Sequence, residues 1–284
     1  MNIQALIESA GFTSVANVSK ISGGDINAAY RFTAGNQDYF IKVNDAEKFP
    51  DLFRNEANGL NEIREKSAFK IPKIITYGER DAFQYLILEL LTEGKASEQS
   101  WSAFAQNLAQ MHKVTQENFG FYEDNYLGSQ PQDNSEKKNW PQFYAENRIL
   151  PSIRQMVDKG VGSSKDAANA EKLCYKLPEI YPDERPSLIH GDLWSGNYFI
   201  MKNTAITVID PAVYYGHREI DLAMAMLFGG FPESFYHSYF EHFPVAPGFS
   251  DRVEVSQLYP LIFHAIRFGG SYISSVQRIL AKFS

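Results

Sequence analysis

A single cysteine, Cys174, occurs in the 284 residues. That excludes an intramolecular disulfide, and with it the small secreted scaffolds that rely on several; a reducing, cytoplasmic setting is expected. Long apolar runs are also missing. Residues 85–91 and 222–231 are the longest, well short of the roughly 20 needed to span a bilayer. Basic residues are in deficit, 27 Lys and Arg against 34 Asp and Glu, for a net charge of −7. This opposes non-specific attraction to nucleic acid or anionic lipid, so neither is an expected partner. Residues 1–11 carry Glu8 inside an apolar stretch and lack a basic leader, which predicts a short amphipathic helix rather than a signal peptide. No internal repeat and no low-complexity tract is present. With 44% hydrophobic and 14% aromatic residues, the chain can nevertheless fill a substantial core. It is expected to be soluble and monomeric.

Two halves differ in pattern. Residues 18–43 alternate β-rich pieces with turn signals at Ser22-Gly23-Gly24 and Ala34-Gly35-Asn36, predicting antiparallel hairpins. Residues 51–66 read as a helix, and residues 72–77 and 83–91 as strands, the second buried on both faces. Beyond Gly94 the spacing of Trp101, Phe104, Leu108 and Met111 switches to helix. The expectation is an α+β, bilobal arrangement: residues 1–93 as a small antiparallel-sheet lobe with one main helix, and residues 94–284 as a larger, mainly helical lobe. Residues 118–139, rich in Gly, Asn, Gln, Ser and Asp, predict a long surface loop. Helices are expected near Trp140 and Ala167, with Pro178, Pro182 and Pro186 breaking the second.

The chemistry concentrates in a few places. His190-Gly191-Asp192 is followed by Asn197, five positions after the aspartate, the acid-to-amide spacing of kinase catalytic loops. Asp192 is placed to take an acceptor hydroxyl's proton, and the Asn197 side-chain oxygen suits magnesium. The same residues would also make a plain turn. After the short β-rich run Thr207-Val208-Ile209 comes Asp210, in the position of a second magnesium carboxylate, although Asp210-Pro211-Ala212 stands where Asp-Phe-Gly is usual.

In the first lobe, Lys42 lies inside an apolar strand, where a lysine needs a partner. Glu56, on the apolar stripe of the next helix with Leu52, Leu60 and Ile63, is the candidate. Such a pair holds an ammonium against ATP phosphates; an edge strand with both groups in solvent is the alternative. Gly23 and Gly24 lie between two predicted strands upstream of Lys42, where their backbone amides could cover a phosphate, although a hairpin turn would look the same. The strand through Glu89 and Leu91 ends where the halves should join, so its last backbone groups are assigned to adenine. Gly191 replaces the arginine that answers an activation-loop phosphate, and no Ala-Pro-Glu follows Asp210. Gating by phosphorylation is not expected.

Together these residues resemble the fructosamine kinase family, or ketosamine 3-kinases, within the aminoglycoside-phosphotransferase and protein-kinase-like fold. The resemblance runs over nearly the full length. It is carried by residues 190–197 with Trp194, by residues 210–219, and by Phe119-Gly120, Gly128, Pro131-Gln132, Asn134, Trp140 and Arg148. It implies phosphorylation of the 3-hydroxyl of a small or protein-bound ketosamine, with ATP and magnesium, after which the adduct becomes labile and releases its amine. By position it makes Asp192 the base, Asn197 and Asp210 the metal ligands, and Lys42 with Glu56 the phosphate clamp. Trp194 becomes a flat wall beside the sugar, with Arg148 and His217 also assigned to substrate. His190 and Asp221 become braces, Asp221 opening the helix beneath the loop. His264 is left between a substrate contact and a structural role. Asp25 stands where many relatives have cysteine, and Ile266 where they have asparagine.

Overall fold

The computed structural model describes residues 2–21 and 26–283. The first elements are helix α1 (Ile3–Ser9) and strands β1 (Val15–Ile21), β2 (Ala28–Ala34) and β3 (Gln37–Asp45), followed by helix α2 (Leu52–Lys66) and strands β4 (Ile74–Arg80) and β5 (Phe83–Glu89). The strands form one antiparallel sheet in the order β1-β2-β3-β5-β4. Period-two alternation sorts its side chains. Ile41, Val43, Tyr85 and Ile87 join Phe32, Leu6 and Ile7 in a small core beneath α1. Leu86 and Leu88 point the other way, into the main core with Leu52, Phe53, Ala57, Leu60 and Ile63 of α2. This double covering explains the nearly continuous apolar run of β5. It also fixes Lys42: paired in register with Leu86, it shares the face that meets α2.

Helix α3 (Glu98–His112) follows, opened by a Ser97 capping box. Residues 118–139 depart from the expected surface loop. They hold the hairpin β6 (Asn125–Leu127) and β7 (Gln130–Gln132), and Asn125, Gln132 and Asn134 are buried. Gly120 and Tyr215 exchange backbone hydrogen bonds of 2.9 Å. Asn125 and Asn134 are tolerated inside because both find partners, and Gln132 because its Nε2 donates to Asn125 Oδ1, which composition alone does not reveal.

Helix α4 (Trp140–Tyr144) continues through a π-helical turn, Ala145–Ile149, into α5 (Leu150–Asp158), and α6 (Ser164–Ile180) packs against α5. Pro178 does not break α6 as expected; it sits in the last turn, and the helix ends at Ile180 with Tyr181 as its C-cap. Four short strands then frame the loops of interest: β8 (Ser187–Ile189), β9 (Tyr198–Ile200), β10 (Ile206–Val208) and β11 (Tyr214–Gly216). β9 pairs with β10, and β8 with β11, all antiparallel. The remainder is helical: α7 (Glu219–Leu227), α8 (Glu233–His242), α9 (Phe249–Ser256), α10 (Leu258–Phe268) and α11 (Ser271–Phe283). Among the described residues, no helix is long and apolar enough to cross a membrane.

Candidate active site

The loop from His190 to Asn197 joins β8 to β9, and Asp210 lies between β10 and β11, so the two strand pairs carry these segments side by side. Backbone bonds close the gap: Ala212 N donates to His190 O at 2.9 Å and Ile209 N to Asn197 O at 2.9 Å. The His190 ring donates from Nε2 to Ile209 O at 2.9 Å, and its Nδ1 accepts from Asp192 N at 3.3 Å. Burial holds this imidazole's pKa down, consistent with the neutral tautomer these bonds require. Asp221, opening α7, accepts from His190 N at 2.7 Å and Gly191 N at 2.9 Å, and also contacts His112 Nε2 at 3.1 Å. Gly191 has a φ of 81°, and a Cβ there would meet Ala212 O at 2.1 Å. Only glycine permits this crossing.

Within the loop, Asn197 Nδ2 donates to Asp192 O at 2.9 Å and Asp192 Oδ2 at 2.8 Å. Both amide hydrogens are thus engaged, which leaves Asn197 Oδ1 as the oxygen for a cation. Burial pushes the Asp192 carboxyl up to about 7, against the pull of the Asn197 bond, with Asp210 and Asp221 adding negative field. Asp210 turns through a left-handed φ of 55°, a conformation Asp tolerates better than most residues. Its Oδ1 lies 2.6 Å from Lys42 Nζ, whose other partner is Glu56 Oε1 at 2.7 Å. Burial alone would lower the Lys42 pKa; the two carboxylates outweigh it and hold the ammonium above its ordinary value. Burial likewise pushes Glu56 up, against the pull of Lys42. A Lys42 in solvent is thereby excluded.

Lys42, Glu56, Asp192, Asn197 and Asp210 all line one cleft of roughly 500 Å³, together with Trp194. The Trp194 indole folds back over its own loop, so close that a Cβ on Gly196 would meet its ring at 2.4 Å. The Trp-Ser-Gly order therefore lets the indole lie flat at the cleft wall while remaining 36% exposed.

The whole chain carries the same signature: the family model described as fructosamine kinase matches residues 2–284. The chain belongs to the fructosamine kinase family. It is accordingly a phosphotransferase of the class that acts on hydroxyl groups. It is 36% identical over 265 residues to a protein named "Probable ketoamine kinase" from Synechocystis sp., covering 92% of this chain and 88% of that one. It is 33% identical to the chloroplastic protein-ribulosamine 3-kinase of Oryza sativa subsp. japonica, over 94% of this chain and 79% of the relative. A Thermobifida fusca protein solved as a candidate fructosamine-3-kinase superposes with a TM-score of 0.87 at 33% identity, covering 99% and 97% of the two chains. Aminoglycoside phosphotransferase APH(4)-Ia, in a ternary complex with AMP-PNP and hygromycin B, reaches a TM-score of 0.65 at 17% identity, over 98% and 97%. At that identity it reports the protein-kinase-like fold alone.

Two family-derived expectations need correction. Arg148 is fully buried and does not line the cleft. It donates from Nη2 to Asn134 Oδ1 at 2.6 Å and from Nη1 to Asp133 O at 2.6 Å, with its guanidinium near the Phe143, Tyr214 and Tyr259 rings. Asn134 Nδ2 in turn donates to Asn125 Oδ1 at 3.0 Å, and Asn125 Nδ2 to Val213 O at 2.7 Å. Arg148 thus holds the β6–β7 hairpin, whose Asn125, Tyr126, Leu127 and Gly128 form a cleft wall. His217 is fully buried as well, against Tyr181 and Trp140, and burial pushes its pKa down to about 4. It precedes α7, its Nδ1 accepting from Glu219 N at 3.4 Å.

Glu89 ends β5 and Leu91 lies two residues beyond it, both outside the cleft lining; the Glu89 carboxylate accepts from Lys73 N at 2.8 Å. Gly23 and Gly24, assigned to the phosphates, fall outside the described residues. What sequence reasoning missed is the far wall, where Met224, Phe228, Phe263, Phe268 and Tyr272 join His264. No motif marks them; the only available signal was the cluster of Phe263, Phe268 and Tyr272 around the break at Gly269-Gly270.

Proposed function

We propose that this chain transfers the γ-phosphoryl group of ATP to the 3-hydroxyl of a ketosamine, with magnesium. The observation that carries the reading is the single cleft in which Lys42, Asp192, Asn197 and Asp210 meet the Trp194 wall. Asn197 Oδ1 and the Asp210 carboxylate fit a hard cation that keeps water and phosphate oxygens as its other ligands. Magnesium, when bound there, would bridge and neutralise phosphate charge. Lys42, steadied by Glu56, would bind the phosphates, and the backbone of Glu89 and Leu91 would meet adenine.

Asp192 would orient the acceptor hydroxyl and take its proton as the oxygen–phosphorus bond forms and the bond to ADP breaks. Trp194 would present an aromatic face to the sugar. Phosphate at carbon 3 gives a labile adduct that releases the free amine, a deglycation.

A polycationic, aminoglycoside-like acceptor is disfavoured by the placement of the acids near the hairpin. Glu123, Asp124, Asp133 and Glu136 do not line the cleft; they bond instead to Asn58, Asn134, Ser135 and Asn118. The test is ATP-dependent phosphorylation of ribulose- and fructose-derived amine adducts by folded protein with magnesium, read by mass and by the position of the phosphate. Absence of product across such a panel, or turnover of an aminoglycoside alone, would reject the reading.

A further inference from the structure

Helix α2 carries Glu56 and packs its apolar side on the sheet, yet another side of it is held by the helical lobe. Gly59, Glu62 and Lys66, three and four positions apart, share that side. Gly59 lies against the segment that follows Asp210: a Cβ there would meet Val213 Cγ2 at 3.2 Å and Pro211 Cγ at 3.5 Å. A glycine inside a helix is otherwise destabilising, and here it permits the close approach. Further along, the Tyr215 hydroxyl donates to Glu62 Oε1 at 3.0 Å and accepts from Lys66 Nζ at 3.1 Å, while Lys66 and Glu62 pair at 2.7 Å. Lys66 Nζ also lies 5.6 Å from the centre of the Tyr215 ring.

Tyr215 is buried in β11 and pairs in register with Leu188 of β8, two residues before His190. The cluster therefore ties the last turns of α2 to the strand pair from which the loop through Asp192 leaves. Near the start of the helix, Tyr126 Oη donates to Pro50 O at 2.9 Å, and in its middle Asn58 Nδ2 donates to Glu123 Oε1 at 2.9 Å. Of these ties, the one at Tyr215 joins a buried hydroxyl to two charged partners, the stronger kind of hydrogen bond. What α2 holds in place is Glu56, whose Oε1 lies 2.7 Å from Lys42 Nζ. A helix that drifts from the helical lobe takes Glu56 with it and leaves the ammonium to Asp210 alone, a pair that a phosphate must then break.

We propose that Tyr215 is a positioning residue for the nucleotide site: through Glu62 and Lys66 it latches α2 to β11 and so keeps Glu56 on Lys42. This rests on the ATP reading above and adds to it a residue outside the cleft. Tyr215 does not line the cleft, so it acts through the position of the helix and not by touching a ligand.

The test measures ATP dissociation constants by calorimetry and amide hydrogen exchange in the ligand-free protein. Tyr215→Phe, which keeps the ring and its packing, should weaken ATP binding by about three- to tenfold, less than the full effect of deleting a hydrogen bond to a charged group because α2 keeps its other ties. Glu62→Ala should do the same, and the double variant should do no worse than either. Glu62→Gln retains an acceptor for the hydroxyl and should recover most of the affinity. In a Glu56→Gln background, Tyr215→Phe should have no further effect on ATP. Amides of α2 should exchange faster in Tyr215→Phe, while those of α3 and α10 keep their rates. ATP affinity untouched by Tyr215→Phe and Glu62→Ala, or a loss that persists in full in the Glu56→Gln background, overturns the proposal. Faster α2 exchange in Tyr215→Phe, with no ATP binding even by the unaltered protein, would reject the kinase reading and leave the latch standing. ATP binding with unchanged α2 exchange would do the reverse, and neither response would reject both.

Discussion

Lys42 Nζ lies 2.6 Å from Asp210 Oδ1, across 168 positions of chain, while holding Glu56 Oε1 at 2.7 Å on its other side. One ammonium thus joins β3, α2 and the segment after β10. The proposed function asks Lys42 to bind phosphate and Asp210 to bind magnesium. The pair keeps both side chains in position at the cleft.

Lys42→Met should lower ATP-dependent turnover by about 100- to 1000-fold, the usual cost of removing one preorganised charge from a phosphoryl-transfer site. It leaves Glu56 buried without its cation, so burial raises the Glu56 pKa further. The folded form then keeps a proton that the unfolded form loses, and stability falls as pH rises above the ordinary carboxylate range. Urea unfolding of Lys42→Met should therefore show a steeper loss between acid and neutral pH than the unaltered protein. The destabilisation should not exceed about 3–5 kcal/mol, because Glu56 can take up a proton.

Asp192 makes the second prediction, with opposite signs for activity and stability. A base with a pKa of about 7 in the ligand-free site is ionised only above it, so kcat/KM should rise through that pH and level off. The folded form binds more protons here than the unfolded form between pH 3.8 and about 7, so this group costs stability increasingly as pH rises through that window. Asp192→Asn should abolish the pH step, lower kcat by about 100- to 10,000-fold, and raise Tm at pH 8. Its Tm advantage should vanish near pH 4. An unchanged pH profile in the variant would assign the base elsewhere.

Arg148 separates a structural role from a substrate contact. Arg148→Ala leaves Asn134 Oδ1 without its donor, leaves Asp133 O with only the Asn147 Nδ2 bond, and opens a gap among Phe143, Tyr214 and Tyr259. A loss of about 3–5 kcal/mol in urea unfolding is expected. Arg148→Lys keeps the charge but cannot reach both acceptors, so it should be destabilised by less. Once folded, it should bind ATP normally, while its acceptor KM rises through the loosened hairpin. A kcat collapse in a stable Arg148→Lys protein would reinstate direct substrate contact.

The proposed catalytic residues were legible because their spacing is a local matter. Asp192 and Asn197 share one loop, and the Asn197 amide reaches Asp192 within it. Lys42 and Glu56 were legible for a related reason: period two in β3 and the apolar stripe of α2 dictate which faces meet. The Arg148 and His217 assignments came from position in a resembling sequence, which carries no information about direction. Both residues belong to packing that supports the cleft from behind.

The sequence alone determined the charge balance, the α+β order of elements, and the set of groups proposed to transfer a phosphoryl group, all of which follow from composition and short-range periodicity. The tertiary structure decided which of those groups share a cleft. It drew Asn125, Gln132 and Asn134 of the surface segment 118–139 inside, and brought Phe228, His264, Phe268 and Tyr272 beside Trp194. These outcomes rest on contacts between segments far apart in the chain. Such contacts form only where packing and hydrogen bonding offset the entropy of bringing the segments together.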